Sequence, residues 1–119
     1  MLGNDHALPV GPRFVVSLDF ELMWGVQSNR GIADYGDAIL GAREAIPKIL
    51  DLFRGHKVRA TWATVGFLFF DDKIALERSL PARIPMYENA SLSPYPMLNT
   101  IGTHEAVDPY HFGRSLIGR

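Results

Sequence analysis

The pattern of hydrophobic and polar positions changes its period several times along the chain. Phe14 to Leu18, Phe-Val-Val-Ser-Leu, is a short and nearly continuous apolar run between Pro12 and Asp19. A strand buried on both faces, as in a parallel sheet, is built from such a run. Val26 to Gly36 follows Gly25 and carries Ser28, Asn29, Gly31 and Gly36, which predicts a loop. From Asp37, which suits an N-cap, Ile39, Ala42, Ile46, Ile49, Leu50 and Phe53 recur at intervals of three and four and make one apolar helical stripe. Arg54 and Gly55 supply stop chemistry, a cation in the last turn and a glycine beyond it. Pro47 lacks an N–H and crowds the preceding turn, so a kink near Arg43 is expected, or two helices with Pro47 in the first turn of the second. Lys57 to Val65 is β-branched and aromatic enough for a second strand, ended by Gly66. Strand, helix and strand in this length predict a right-handed βαβ unit and an α/β fold.

Further along, Phe67 to Phe70 is apolar, and Asp71-Asp72 can cap a helix through Ile74, Ala75, Leu76 and Leu80. Pro81, Pro85, Pro94, Pro96 and Pro109 forbid long regular structure between Pro81 and Tyr110. A stretch of that length without elements is either a functional excursion or disordered. Phe112 to Arg119 reads as the opening of another helix with Leu116 and Ile117 facing inward. Residues 1–12 are polar and end in Pro-Val-Gly-Pro, a flexible lead-in, so the ordered domain is expected to run over 13–119.

Composition narrows the function classes. Twelve Lys+Arg against thirteen Asp+Glu give a net charge of −1, no electrostatic footprint for nucleic acid or an anionic membrane. There is no cysteine, so disulfides, thiolate metal sites and a Cys nucleophile are excluded and any metal must be held by His, Asp or Glu. No basic n-region with an apolar stretch opens the chain, and no window approaches the roughly 20 apolar residues of a membrane span, so a cytoplasmic protein is expected. At 119 residues the chain is too short for a complete eight-fold α/β barrel, which takes about 200 residues or more.

Asp19-Phe20-Glu21, at the end of the first strand, is the foremost candidate for chemistry. The carboxyl ends of parallel strands collect catalytic groups, because the sheet positions them and the loops leave them reachable. Two acids at i and i+2 of an extended segment point to one side and can divide labour as base and cation ligand; the plainer alternative is a pair of solvated acids. Trp24, close behind, is either a substrate-pocket wall or core. His104, Asp108 and His111 can share a metal or be surface residues of a Pro-broken segment. His56 suits a helix-end cation, and His6 lies in the lead-in. Tyr87, Tyr95 and Tyr110 either stack on a sugar ring or pin the excursion to the body.

Phe14-Val-Val-Ser-Leu-Asp-Phe-Glu21 followed by Ala60-Thr-Trp-Ala-Thr-Val-Gly66 resembles the start of the polysaccharide deacetylase family, also called the NodB-homology or carbohydrate esterase 4 family. The helix around Ile46-Pro47-Lys-Ile-Leu-Asp-Leu52 is similar to its counterpart there, and Asp108-Pro-Tyr-His-Phe-Gly113 resembles a run found in a bacterial subset just upstream of their histidine motif. The resemblance covers 13–70 well and 108–117 fairly. It implies the N-terminal part of a distorted (β/α) barrel and a metal-dependent deacetylase that hydrolyses an N- or O-acetyl or related amide of a carbohydrate or small amide substrate. By resemblance Asp19 is the general base and Glu21 the acidic ligand of a divalent cation, often zinc in that family, which polarises the carbonyl and activates water. Glu in place of the more usual Asp adds a methylene of reach.

The chain departs from the family in its histidines. Ile101-Gly-Thr-His104 fits the beginning of the family's His-x-x-x-His motif, but Asp108 stands where the second His belongs. The true pair is therefore expected beyond residue 119. Two other readings compete. An Asp-x-acid at the end of a first strand also suits aspartate-nucleophile phosphatases and receivers, although Glu21 and Met23 depart from the former and Phe20 from the latter. The third reading is a truncated, inactive remnant that associates with something else through open sheet edges and apolar faces.

Overall fold

A computed structural model describes residues 11–118. The lead-in at 1–10, with His6, lies outside the described residues, and Gly11 and Pro12 are exposed. The architecture is mixed α/β. Strand β1 (Ser17–Phe20) pairs in parallel with β2 (Thr61–Thr64), joined by one long helix, α1 (Ile32–Gly55). The register sets Leu18 beside Trp62 and Asp19 beside Ala63. A shorter helix, α2 (Lys73–Arg78), and five single 3-10 turns complete the elements.

The strands differ from the sequence expectation in place and in burial. β1 begins at Ser17, because its ladder reaches only from the Val16 carbonyl, which accepts from Thr61, to the Phe20 carbonyl, which accepts from Val65. Phe14 and Val15 have no partner strand and stand 93% and 73% exposed. β1 is not buried on both faces. Leu18 and Phe20 turn toward α1, while Ser17, Asp19, Thr61 and Ala63 are exposed on the opposite face, which no described element covers.

Helix α1 starts earlier than the hydrophobic stripe suggests and absorbs the end of the expected loop. Its cap is Gly31, whose N–H donates to Asp34 Oδ1 at 2.7 Å, and not Asp37. The acid in the first turn also complements the helix dipole. Pro47 lies inside one continuous helix, so the two-helix alternative does not hold. Proline removes one bond of a 24-residue ladder. Burial of Ile39 in the core, with Ile46 packed against that core, holds the helix across that gap, since helices in proteins depend on tertiary burial more than on propensity.

The stop comes two residues past Gly55. Val58 N–H bonds the Phe53 carbonyl at 2.9 Å and Lys57 N–H the Arg54 carbonyl at 3.3 Å, the paired bonds of a Schellman end. Lys57 holds the left-handed conformation at φ 55°, a place that glycine fills without steric cost. Lys57→Gly is therefore expected to raise stability by about 1 kcal/mol. A urea midpoint equal to or below that of the parent would contradict the strain assigned to this residue.

The remaining segments pack on this unit. Asp72 caps α2 by accepting from Ala75 N–H at 2.7 Å, as its position after the apolar run predicts. Leu76, Leu68, Met23 and Phe112 are the most deeply buried side chains. The excursion from Pro81 to Tyr110 holds only the turns at Ala90–Leu92 and Tyr95–Asn99. The helix expected after Phe112 is a single turn, Arg114–Leu116, with Leu116 buried and Ile117 half-buried. No helix of the described residues is long and apolar enough to cross a membrane.

Candidate functional site

Asp19 sits in β1 next to its carboxyl end and is exposed on the uncovered face. The alternation that would carry both acids to one side stops at Phe20. Glu21, at φ −128° and ψ −28°, has left the extended conformation, and its carboxylate folds back over Gly25: a methyl group built there would lie 2.0 Å from Glu21 Oε2. Glycine at 25 thus makes room for the acid. Leu22, next in line, is held at φ 50°, a left-handed conformation that costs a bulky residue on the order of 1–3 kcal/mol.

That conformation is held by the core and by two long-range hydrogen bonds. Met23 N–H donates to the Tyr110 carbonyl at 3.1 Å, and the Trp24 indole N–H to the His111 carbonyl at 2.9 Å. Trp24 is 6% exposed, so it belongs to the core. Its ring also meets Phe67 edge-on at 4.9 Å and borders a cavity beside Gln27. Glu21 borders another cavity, of about 320 Å3 between β1 and α1, with Tyr35, Ile39, Ile46 and Trp62.

The three residues of the other candidate cluster do not come together. His104 is exposed, and its backbone bridges to Asp72. Asp108 and His111 are both buried and face each other, with His111 Nδ1 at 2.9 and 3.0 Å from the two carboxylate oxygens. The surface reading therefore holds for His104 and fails for His111. Asp108 also accepts from the N–H groups of Gly102 at 2.7 Å and of Tyr110 and His111 at 3.2 Å each. Burial alone would raise its pKa; the bonds from the His111 ring and from Gly102 outweigh it and hold the carboxyl below its ordinary value.

Among the described residues no group of three or more His, Asp or Glu side chains is placed to share a metal ion. Asp19 and Glu21 do not by themselves make up such a group. His56 contributes its backbone to the end of α1 through the Leu52 carbonyl, and its side chain is exposed. Tyr110 lies against Gly36 and Tyr95 against Phe67, both pinning the excursion to the body, whereas Tyr87 stands 43% exposed at a cavity rim.

Two groups escaped the sequence reading. Arg43 sits on α1 between the apolar stripe positions Ala42 and Ile46 and reaches Glu105 and two backbone carbonyls of the 109–112 turn. A cation inside an apolar stripe was the available signal. Gln27, inside the expected loop, carried none. The chain matches no protein-family model, no curated protein and no solved structure in the comparisons made.

Proposed function

We propose that this chain is the N-terminal part of a distorted (β/α) barrel and carries the base of a metal-dependent deacetylase-type hydrolase acting on a carbohydrate or a related amide. The placement of Asp19 carries the reading. It is an exposed carboxylate next to the carboxyl end of a parallel strand in a βαβ unit, on a face that no described element covers. There it takes a proton from the water that attacks an acetyl carbonyl. Glu21 serves as the acidic cation ligand, and the strain at Leu22 immediately after it suits a site where backbone geometry is fixed for use. A divalent cation, zinc by resemblance, would polarise the carbonyl, and Glu21 is the side chain among those described that would contribute to holding it.

Acetate release from an N-acetylated oligosaccharide by the full-length protein in the presence of zinc tests this reading. Asp19→Asn is expected to lower the rate by about a hundredfold or more, the usual contribution of a positioned base, while leaving zinc content unchanged. Glu21→Ala is expected to lower zinc content. Wild-type turnover in Asp19→Asn would sink the assignment. The exposed Phe14 and Val15 favour a second reading, in which this stretch associates with a partner without catalysing anything. A full-length protein that releases no acetate with zinc present would favour that alternative.

A further inference from the structure

The cavity bordered by Trp24 and Gln27 opens at the carboxyl edge of the sheet, between the turn that follows β1 (Leu22–Gly25) and the turn that follows β2 (Gly66–Phe69). We propose that it is a binding site for a neutral, hydroxylated ring ligand, which Gln27 holds by its edge while aromatic side chains cover its face.

Its volume is about 380 Å3, within the range of small-molecule sites. Trp24, Phe67 and Tyr87 supply aromatic surface, and Val65 and Leu92 add aliphatic surface. The wall is rigid where it matters. Trp24 and Phe67 lock edge to face, Phe67 is backed by Tyr95 at 6.0 Å, and the Trp24 indole N–H is already committed to the His111 carbonyl. Tyr87 and Leu92, 43% and 55% exposed, form a rim through which a molecule can enter.

Two observations define the ligand's chemistry. No charged side chain lines the cavity, so a charged ligand would lose its hydration without compensation. Gln27 Oε1 is buried and has no hydrogen-bond partner, an unfavourable state until something donates to it. Turning the amide over would exchange a buried acceptor for a buried donor. A hydroxyl group satisfies either, because it both donates and accepts. An apolar ring face with a hydroxyl at its edge matches these walls, and both a pyranose and a phenol have that chemistry.

The site needs neither Asp19 nor Glu21, so it stands apart from the hydrolytic reading. The chain has two tryptophans, and titration of the 15N-labelled protein with methyl β-D-glucopyranoside and, separately, with phenol can be followed at their indole N–H signals. Trp62→Phe identifies the Trp24 signal. Saturable movement of that signal is expected with at least one probe, weakened about tenfold in Gln27→Leu and weakened in Tyr87→Ala, whose side chain lies at the exposed rim. Movement with the glucoside assigns a sugar ligand, and movement with phenol alone a phenolic one. Asp19→Asn is expected to bind unchanged, which separates loss of this site from loss of hydrolysis. Silence of the Trp24 signal with both probes, or affinity unaffected by Gln27→Leu and Tyr87→Ala alike, would overturn the proposal.

Discussion

Arg43→Met is expected to lower the unfolding free energy by about 3 kcal/mol, from the loss of charged hydrogen bonds at about 1.5–3 kcal/mol each. The guanidinium donates to the Pro109 carbonyl at 3.2 Å, to the Phe112 carbonyl at 2.7 Å and to the Glu105 carboxylate. Glu105 in turn accepts from the Ser115 N–H at 3.0 Å and from its hydroxyl. One cation and one carboxylate thereby tie the segment from 105 to 115 onto the middle of α1. That segment supplies the Tyr110 and His111 carbonyls that hold Met23 and Trp24 behind Glu21. The side chains of Arg43 and Glu105 are only 17% and 20% exposed, so water cannot readily replace the lost partners. Methionine keeps the apolar stem and removes the charge, which separates the clamp from packing. Glu105→Gln is expected to cost less, about 1 kcal/mol, because the two carbonyl bonds survive. The double variant should then cost less than the sum, as residues of one network couple. Urea unfolding followed by tryptophan emission checks all three; a loss below 0.5 kcal/mol in Arg43→Met, roughly the effect of an ordinary surface substitution, would show that the clamp holds nothing.

The clamp also shows where the sequence was legible. Local patterns found β1, α1, β2 and α2, because an apolar run, a stripe of period three to four and a capping acid are each written in adjacent residues. Boundaries depended on partners far along the chain. β1 starts at Ser17 since that is where β2 meets it, and the apolar Phe14 and Val15 stay outside the ladder. Gly31 and Gly36 read as loop residues, yet one caps α1 and the other gives Tyr110 room, roles set by Asp34 and by a residue 74 positions away. The place of Asp19 next to a strand end was legible because the apolar run before it marks the strand. The chain leaves extended geometry at Glu21, and that follows from the core around Leu22–Trp24 and from Tyr110. The spacing of His104, Asp108 and His111 left a shared metal and exposed surface residues both open; the turn instead buries the last two together and leaves the first outside.

Asp108→Ala is expected to cost about 3 kcal/mol at neutral pH, because one buried carboxylate answers four donors: the His111 ring Nδ1 and the N–H groups of Gly102, Tyr110 and His111. The side chains of Asp108 and His111 are 9% and 5% exposed, so those donors would be left without water. The methylene of Asp108 also lies against Gly102, where an added methyl would come within 2.6 Å, so the carboxylate is seated in close contact with the turn it holds. The pH dependence follows from the same bonds. Asp108 and Glu105 both titrate below their ordinary values of 3.8 and 4.5 when folded, Glu105 because Ser115 and Arg43 outweigh the effect of its burial. An acid with a depressed folded pKa favours the folded state above its unfolded pKa, and that stability is lost as pH falls through the folded one. Wild-type stability is therefore expected to decline as pH drops below 4.5 and to steepen below 3.8. Asp108→Asn, which cannot ionise, should start lower at pH 7 and lose less across that acid range. Urea midpoints at pH 7, 4.5 and 3 measure the difference, and an acid limb as steep in Asp108→Asn as in the parent would place the pH sensitivity elsewhere.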